Sequence, residues 1–368
     1  MPGNPFRPSF GTSPRVLAGR AGLLDEFDVA LGEGPGSPMR SILISGPRGM
    51  GKTVVLNELE DRARTRGWHV VRLPEGPGMV EETEQSLLPG LLARVDPAAE
   101  QRRVTGGGIH AVGSISTEID HTYPHTQSLT AMLARLATLA AERGTGVLLT
   151  LDEVQSVEVA EVSRLASAYQ HLLRDDHEIA FVGAGLPVGI ATLLKQRGTT
   201  FLRRAERLQL GPLDEAEVAD AAVRTVRAAG RVISPEAVRL LVRIAHGYPY
   251  LLQLVGYHAW RAAGTDEVIT ERDVERTREV VVDRMSRLVH TPALLDVPPG
   301  QLDYLHAMAQ DDGPSATGLV AERLGVSRQH ANVVRTRLIA RELIAPAGHG
   351  LVDVALPYLR EHLRRVGE

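Results

Sequence analysis

Up to about residue 213, short unbroken apolar runs alternate with stretches in which apolar residues recur at helical spacing; beyond it the helical period stands alone. The runs begin with S-I-L-I-S from Ser41, followed by Trp68–Leu73, Gly146–Gln155, Ile179–Pro187 and Glu206–Leu213. Each has the length and character of a buried strand. Between them Val54–Arg66, Met79–Val95, Leu129–Arg143 and Val162–Arg174 carry the helical spacing. Ahead of the first run, Leu23, Leu24, Phe27, Ala30 and Leu31 mark an amphipathic helix entered through Gly19 and Arg20. Strands alternating with helices predict an α/β fold over residues 16–213, a parallel five-stranded sheet with helices on both faces.

The remainder divides again. Glu215–Ala229, Ser234–Ala245, Pro249–Ala263 and one long helix over Glu271–Val289 predict an all-α domain over 214–290, with Ser234 as a cap and Pro235 in a first turn. In residues 291–368, helices are expected over Gln301–Gln310, Ala316–Leu324 and Ser327–Glu342. Val320, Leu324, Val326 and Val334 supply the apolar positions of a helix-turn-helix, with small Ala321 and Gly325 where two helices meet. Leu343–Pro346, a G-H-G turn and Leu351–Val354 read as a β-hairpin, and Tyr358–Arg365 as a closing helix, so this segment is expected to be a winged helix. Residues 1–15 are rich in Pro, Gly and Ser, with Phe6 and Phe10 as large apolar groups, and read as an extended arm. Asp96–Thr126 reads as a glycine-broken hairpin or a flexible insertion, since loops this long are otherwise uncommon.

The turn after the first strand carries the chemistry. Its sequence, G-P-R-G-M-G-K-T over Gly46–Thr53, matches G-x-x-x-x-G-K-[ST] without a gap. Gly46, Gly49 and Gly51 let backbone N–H groups converge on phosphate oxygens, in a loop that also includes Pro47, Arg48 and Met50. Lys52 places a point charge near the β- and γ-phosphates, the Thr53 hydroxyl is set to ligate Mg²⁺, and the helix continuing through Val54 offers its N-terminus to the anion. The chain has only two lysines, Lys52 and Lys195, among 41 basic residues, so a lysine at this position is chemically pointed. At the carboxyl end of the third run, Asp152 is expected to hold Mg²⁺ through water and Glu153 to orient and deprotonate the attacking water.

Composition narrows the setting. No run of 18 apolar residues exists and the N-terminus lacks a signal-peptide core, so a cytoplasmic protein without a membrane partner is expected. Zero cysteines exclude disulfides and thiolate metal sites. A net charge of −4 provides no global attraction for nucleic acid, so any DNA contact must be local. The candidates are Arg328, Gln329, His330, Asn332, Arg335 and Arg337, on or near one side of the expected recognition helix. Double-stranded DNA and a protein partner remain open there, because acids and bases roughly balance in residues 300–368. His110, His121 and His125 lack the spacing of a metal site.

V-L-A-G-R-A-G-L-L near residue 20, G-P-R-G-M-G-K-T, L-L-T-L-D-E and H-G-Y-P-Y, in that order, resemble AAA+ P-loop ATPases with a helical lid and C-terminal winged helix. The chain is similar to origin-recognition-like AAA ATPases and to STAND ATPases of the same plan. The resemblance implies ATP and ADP as ligands with Mg²⁺, a base-contacting segment at Val16–Arg20 including Leu17, and a lid contact at Pro249 of a G-x-P pattern. It also places Arg203 or Arg204 as a finger on a neighbouring subunit's γ-phosphate, which implies a nucleotide-dependent homo-oligomer. Two departures, Gly183-Ala184-Gly185 where a polar side chain is usual and no arginine beside Gly247 and Pro249, imply slow hydrolysis and a switch rather than a motor. A P-loop phosphotransferase acting on a small molecule is the rival reading.

Overall fold

The computed structural model describes residues 3–9, 11–96, 128–196 and 198–367. Phe10, His110, His121, His125 and the hairpin or insertion expected up to Thr126 lie outside these residues. The chain forms two compact units, one made of residues 20–47 and 51–211, the other of 1–19, 48–50 and 212–368.

The first unit opens with α1 (Ala21–Glu33), which buries Leu24, Phe27, Ala30 and Leu31 as its spacing requires. There follow β1 (Ser41–Ser45), α2 (Lys52–Thr65), β2 (His69–Arg72) and two short helices, α3 (Met79–Glu82) and α4 (Leu88–Val95), joined by a π turn over Thr83–Leu87. Then come α5 (Leu129–Ala141), β3 (Val147–Leu151), α6 (Val159–Arg174), β4 (Ile179–Gly185), α7 (Pro187–Lys195) and β5 (Glu206–Gln209). The strands form one all-parallel sheet in the order β2-β3-β4-β1-β5. The strands β3 and β4 are buried at every position, the burial expected of a parallel sheet covered on both faces. Because β4 lies between β1 and β3, the carboxyl ends of β1 and β3 flank its terminal Gly183–Gly185. The chain reverses its order across this region, which is where open α/β sheets place ligands.

Two expectations are corrected here. The run Gly146–Gln155 is not strand throughout: β3 ends at Leu151, and Val154–Ser156 turns into a 3₁₀ helix. The strand expected through Pro187 ends at Gly185, because the Pro187 ring has no N–H for a ladder and opens α7 instead.

The second unit is mostly helical. Helix α8 (Glu215–Ala228) starts from a capping box between Asp214 and Glu217, and α9 (Pro235–Ala245) from Ser234, whose hydroxyl accepts the Ala237 N–H. The helix α10 (Pro249–Ala262) follows. Two-residue strands β6 (Val232–Ile233) and β7 (Val268–Ile269) pair in parallel, a contact too short to leave a periodic signal. The single helix expected over Glu271–Val289 is broken into α11 (Glu271–Glu275), α12 (Arg278–Met285) and a π turn over Ser286–His290. Thr277 separates the first two, its hydroxyl bonded to the Val274 carbonyl. The arm is docked on α10: Phe6 is 2% exposed and packs against Gly256, the Asn4 amide donates to the Tyr257 carbonyl, and the Arg7 N–H to Gln253 Oε1.

After α13 (Thr291–Leu294), helices α14 (Pro299–Ala309), α15 (Thr317–Arg323) and α16 (Arg328–Ala340) pack around Tyr304, Leu305, Met308, Val320, Val334 and Leu338. The small sheet beside them has the order β8-β10-β9, formed by Ser315–Ala316, Leu351–Val354 and Ile344–Pro346, all antiparallel. The chain closes with α17 (Leu359–Val366). Among the described residues no helix is long and apolar enough to cross a membrane.

Candidate functional site

The glycine-rich turn follows the carboxyl end of β1, an inner strand between β4 and β5. Gly49 and Gly51 take φ of 79° and 85°, left-handed backbone that a side chain would strain. Gly51 also caps α2 without a side-chain bond, so no side chain of its own satisfies the helix's first donors. At the first helical position Lys52 is 6% exposed, and its Nζ donates to the Gly46 and Pro47 carbonyls at 2.8 and 3.2 Å. The lysine thereby braces the loop it follows, and its charge sits inside the curve where phosphates are expected.

Arg48–Met50 group with the helical unit. There the Tyr248 hydroxyl donates to the Arg48 carbonyl at 2.7 Å, and a Cβ on Gly49 would meet that hydroxyl at 2.0 Å. Tyr248 is 2% exposed, and burial pushes its phenol well above the usual range, so it stays a neutral donor. Sequence reasoning passed over this residue; its place between Gly247 and Pro249 was the available signal. Pro249 opens α10, and Leu17 lies half-buried in the segment ahead of α1, both in the helical unit.

The acid pair is held by short bonds. Thr53 Oγ1 donates to Asp152 Oδ2 at 2.7 Å, joining the loop after β1 to the turn after β3. Asp152 is 5% exposed, and its Oδ1 accepts the Glu153 N–H at 2.9 Å. Glu153 has φ of 45° and ψ of 48°, an uncommon conformation for a residue with a Cβ and one that turns its carboxylate out of the strand direction. The Gln155 amide donates to Glu153 Oε2. Beside the pair, Glu75 has its carboxyl pushed up, chiefly by burial and then by repulsion from Asp152 and Glu153, with Arg72 opposing. Glu75 follows β2, which pairs with β3; only that register brings it near the acids, so its sequence position held no hint.

Two hard oxygen donors, the Thr53 hydroxyl and the Asp152 carboxylate, already in contact, fit Mg²⁺ shared with substrate phosphates. Among the described residues no group of three or more His, Cys, Asp or Glu is placed to hold a metal ion.

The two arginines differ. Both are exposed, but Arg203 donates through Nε to the Leu194 carbonyl at 2.7 Å, whereas Arg204 makes no hydrogen bond or ion pair among the described residues. On α16, Arg328, Gln329, His330, Asn332 and Arg337 are exposed. Gln329, Asn332, Val333, Thr336 and Arg337 line a shallow depression on that helix. Arg335 is half-buried with its Nε enclosed, so the outer face of α16 is smaller than the spacing suggested.

Parts of the chain match known family models, and its fold resembles solved structures. Residues 16–182 match a family model described as an AAA ATPase domain, and residues 287–363 match one described as a domain of unknown function, DUF8462. No curated protein matches the sequence significantly. Among solved structures, a Walker-type ATPase of Pyrococcus abyssi is similar with a TM-score of 0.66 at 16% identity, over 96% of this chain and 97% of that one. Cdc6p of Pyrobaculum aerophilum gives 0.49 at 17% identity over 98% and 96%, and the RuvB Holliday junction branch migration motor of Thermotoga maritima 0.47 at 16% over 94% and 95%. Residues 16–182, which carry the glycine-rich turn and the strand-end aspartate bonded to it, therefore belong to the AAA ATPase domain family.

Proposed function

We propose that this protein is a nucleotide-controlled switch that binds ATP with Mg²⁺, hydrolyses it slowly to ADP, and passes the state of the site to its C-terminal segment. The observation that carries the reading is the 2.7 Å bond between Thr53 and Asp152, which sets the phosphate loop against the acid pair. Gly46–Thr53 would hold the phosphates through backbone N–H groups, with Lys52 neutralising the β- and γ-oxygens. Magnesium, when bound, would draw charge from those oxygens, held by Thr53 and, through water, by Asp152. Glu153, turned off the strand, would accept the proton of the attacking water as its oxygen approaches phosphorus. Slowness is supported by the end of β4: Gly183, Ala184 and Gly185 offer no polar side chain beside the loop. A neighbouring subunit's arginine would complete the charge, and the unpartnered Arg204 suits that role better than Arg203, whose guanidinium is already bonded.

We read residues 214–290 as the lid and 291–368 as a winged helix whose α16 presents Arg328, Gln329, His330, Asn332 and Arg337 to double-stranded DNA or a protein partner. The three helices, the antiparallel β9–β10 hairpin and the exposed side of α16 support this. Phosphate release from Mg-ATP by the full chain tests the central claim: Glu153→Gln should keep ATP bound while reducing release to a small residual rate. Full hydrolysis by that variant, or many turnovers per second by the parent, would overturn it.

A further inference from the structure

The structure assigns to Gln155 the task of positioning the Glu153 carboxylate: its side-chain amide bridges that acid to the backbone just past β4, in space that β4 and α7 leave empty for it. The assignment rests on the reading of Glu153 as the base for water.

The bridge has two ends. Gln155 Oε1 accepts the Leu186 N–H at 3.1 Å, and Gln155 Nε2 donates to Glu153 Oε2. A backbone N–H can only donate, so the oxygen of the amide must face Leu186; the NH₂ group is then the end that meets the carboxylate. The orientation of the amide therefore follows from its partners. Exchanging its ends would set an NH₂ against an N–H and an oxygen against a carboxylate.

Gln155 is exposed, and two glycines beside it leave it room. A Cβ on Gly185 would lie 2.6 Å from Gln155 Oε1, and one on Gly189 2.5 Å from Gln155 Cβ, closer than real Cβ contacts come. Both glycines have ordinary negative φ, so backbone conformation does not demand them; a Cβ would crowd Gln155 at Gly189, and both Gln155 and Val154 at Gly185. Gly183, Ala184 and Gly185 bring no polar group to the end of β4, and Gln155 supplies one from the neighbouring turn. Glu153 sits in left-handed backbone, where its side chain has no strand neighbours to fix it, and the amide supplies that restraint. A carboxylate that must meet a water within hydrogen-bond reach loses on the order of 100-fold in rate when displaced by about 1 Å. Because the other end of the bridge is the Leu186 N–H, the base is registered to the strand lying between the phosphate loop and the acid pair.

The test uses the full-length chain and two variants. Gln155→Glu keeps the volume and an acceptor for Leu186 but sets a negative group against Glu153; Gln155→Leu removes both bonds. Each should lower kcat at least 10-fold, with the dissociation constant for a slowly hydrolysed ATP analogue within about threefold of the parent. A packing role alone would spare Gln155→Glu, so a kcat in that variant above half the parent value overturns the assignment. Combined with Glu153→Gln, either substitution should lower the residual rate no further; a full additive loss would show that Gln155 acts elsewhere and also overturns it. Should Glu153→Gln alone hydrolyse normally, the reading of Glu153 fails in its own right, which is a different result from any of these.

Discussion

Replacing Thr53 by valine keeps the shape of the side chain and removes only its hydroxyl, which makes it a clean probe of the site. That hydroxyl donates to Asp152 at 2.7 Å, and Asp152 is 5% exposed, so the lost bond is charge-assisted and poorly replaced by water. Bonds of this kind contribute about 1.5–3 kcal/mol. Asp152 keeps the Glu153 N–H as a donor, so the stability loss should fall near the lower end, roughly 1.5 kcal/mol. The same oxygen is the proposed magnesium ligand, so a second loss is expected in binding. A fluorescent ATP analogue titrated with excess magnesium and again with chelator separates the two effects. The parent should bind more tightly with magnesium; Thr53→Val should bind equally in both conditions, and about as the parent does with chelator. Denaturant unfolding of the apo protein reads the stability term. If the variant keeps the magnesium enhancement, the Thr53–Asp152 pair is not the cation site. If its stability is unchanged as well, the 2.7 Å contact is not formed.

Other expectations follow from single contacts. Lys52→Ala should abolish detectable ATP binding in equilibrium dialysis while the chain stays folded by circular dichroism, since Lys52 bonds the Gly46 and Pro47 carbonyls of the loop itself. Arg204→Ala should reduce turnover on the order of 10³-fold in any assembled form, with assembly followed by light scattering. Arg203→Ala should instead cost about 1 kcal/mol of stability through the bond to Leu194, with little change in turnover. His290 is buried against the Pro357 carbonyl, and burial, with smaller contributions from His362 and Arg365, pulls its pKa down to about 4 from 6.5. It folds neutral, so its contribution is complete above pH 6.5 and is lost as pH falls toward 4, by at most about 3 kcal/mol. Denaturant unfolding of His290→Gln and the parent between pH 7 and 5 should show a shallower slope for the variant; identical slopes would contradict this.

The periodic parts of the chain were legible from sequence because each buries a face or runs through a covered sheet. All five strands of the α/β unit and the helices expected between them lie within a few residues of their apolar runs, and Ser234 caps the helix it precedes, whereas α7 and the Asp214 cap were not foreseen. The loop motif was equally plain, since Gly49 and Gly51 stand at left-handed positions that few other residues accept. What escaped has a common cause. The break at Thr277 comes from a side chain bonding its own backbone, the β6–β7 pair spans two residues a strand, and Tyr248 and Glu75 acquire meaning from neighbours distant in sequence.

The end of β3 shows why such features resist one-dimensional reading. The run Gly146–Gln155 has no internal stop signal, and Val154 is as apolar as the residues before Asp152. The strand ends where β4, its partner, reaches Gly183 in register with Leu151, and Val154 then turns under β4 against Gly183 and Gly185. Had the run stayed extended, Asp152 and Glu153 would point to opposite faces of the sheet. The left-handed step at Glu153 removes that alternation, leaving Asp152 bonded to Thr53 while Glu153 meets Gln155. Two adjacent acids can therefore hold different roles because the sheet partner, and not the local sequence, decides where pleating stops.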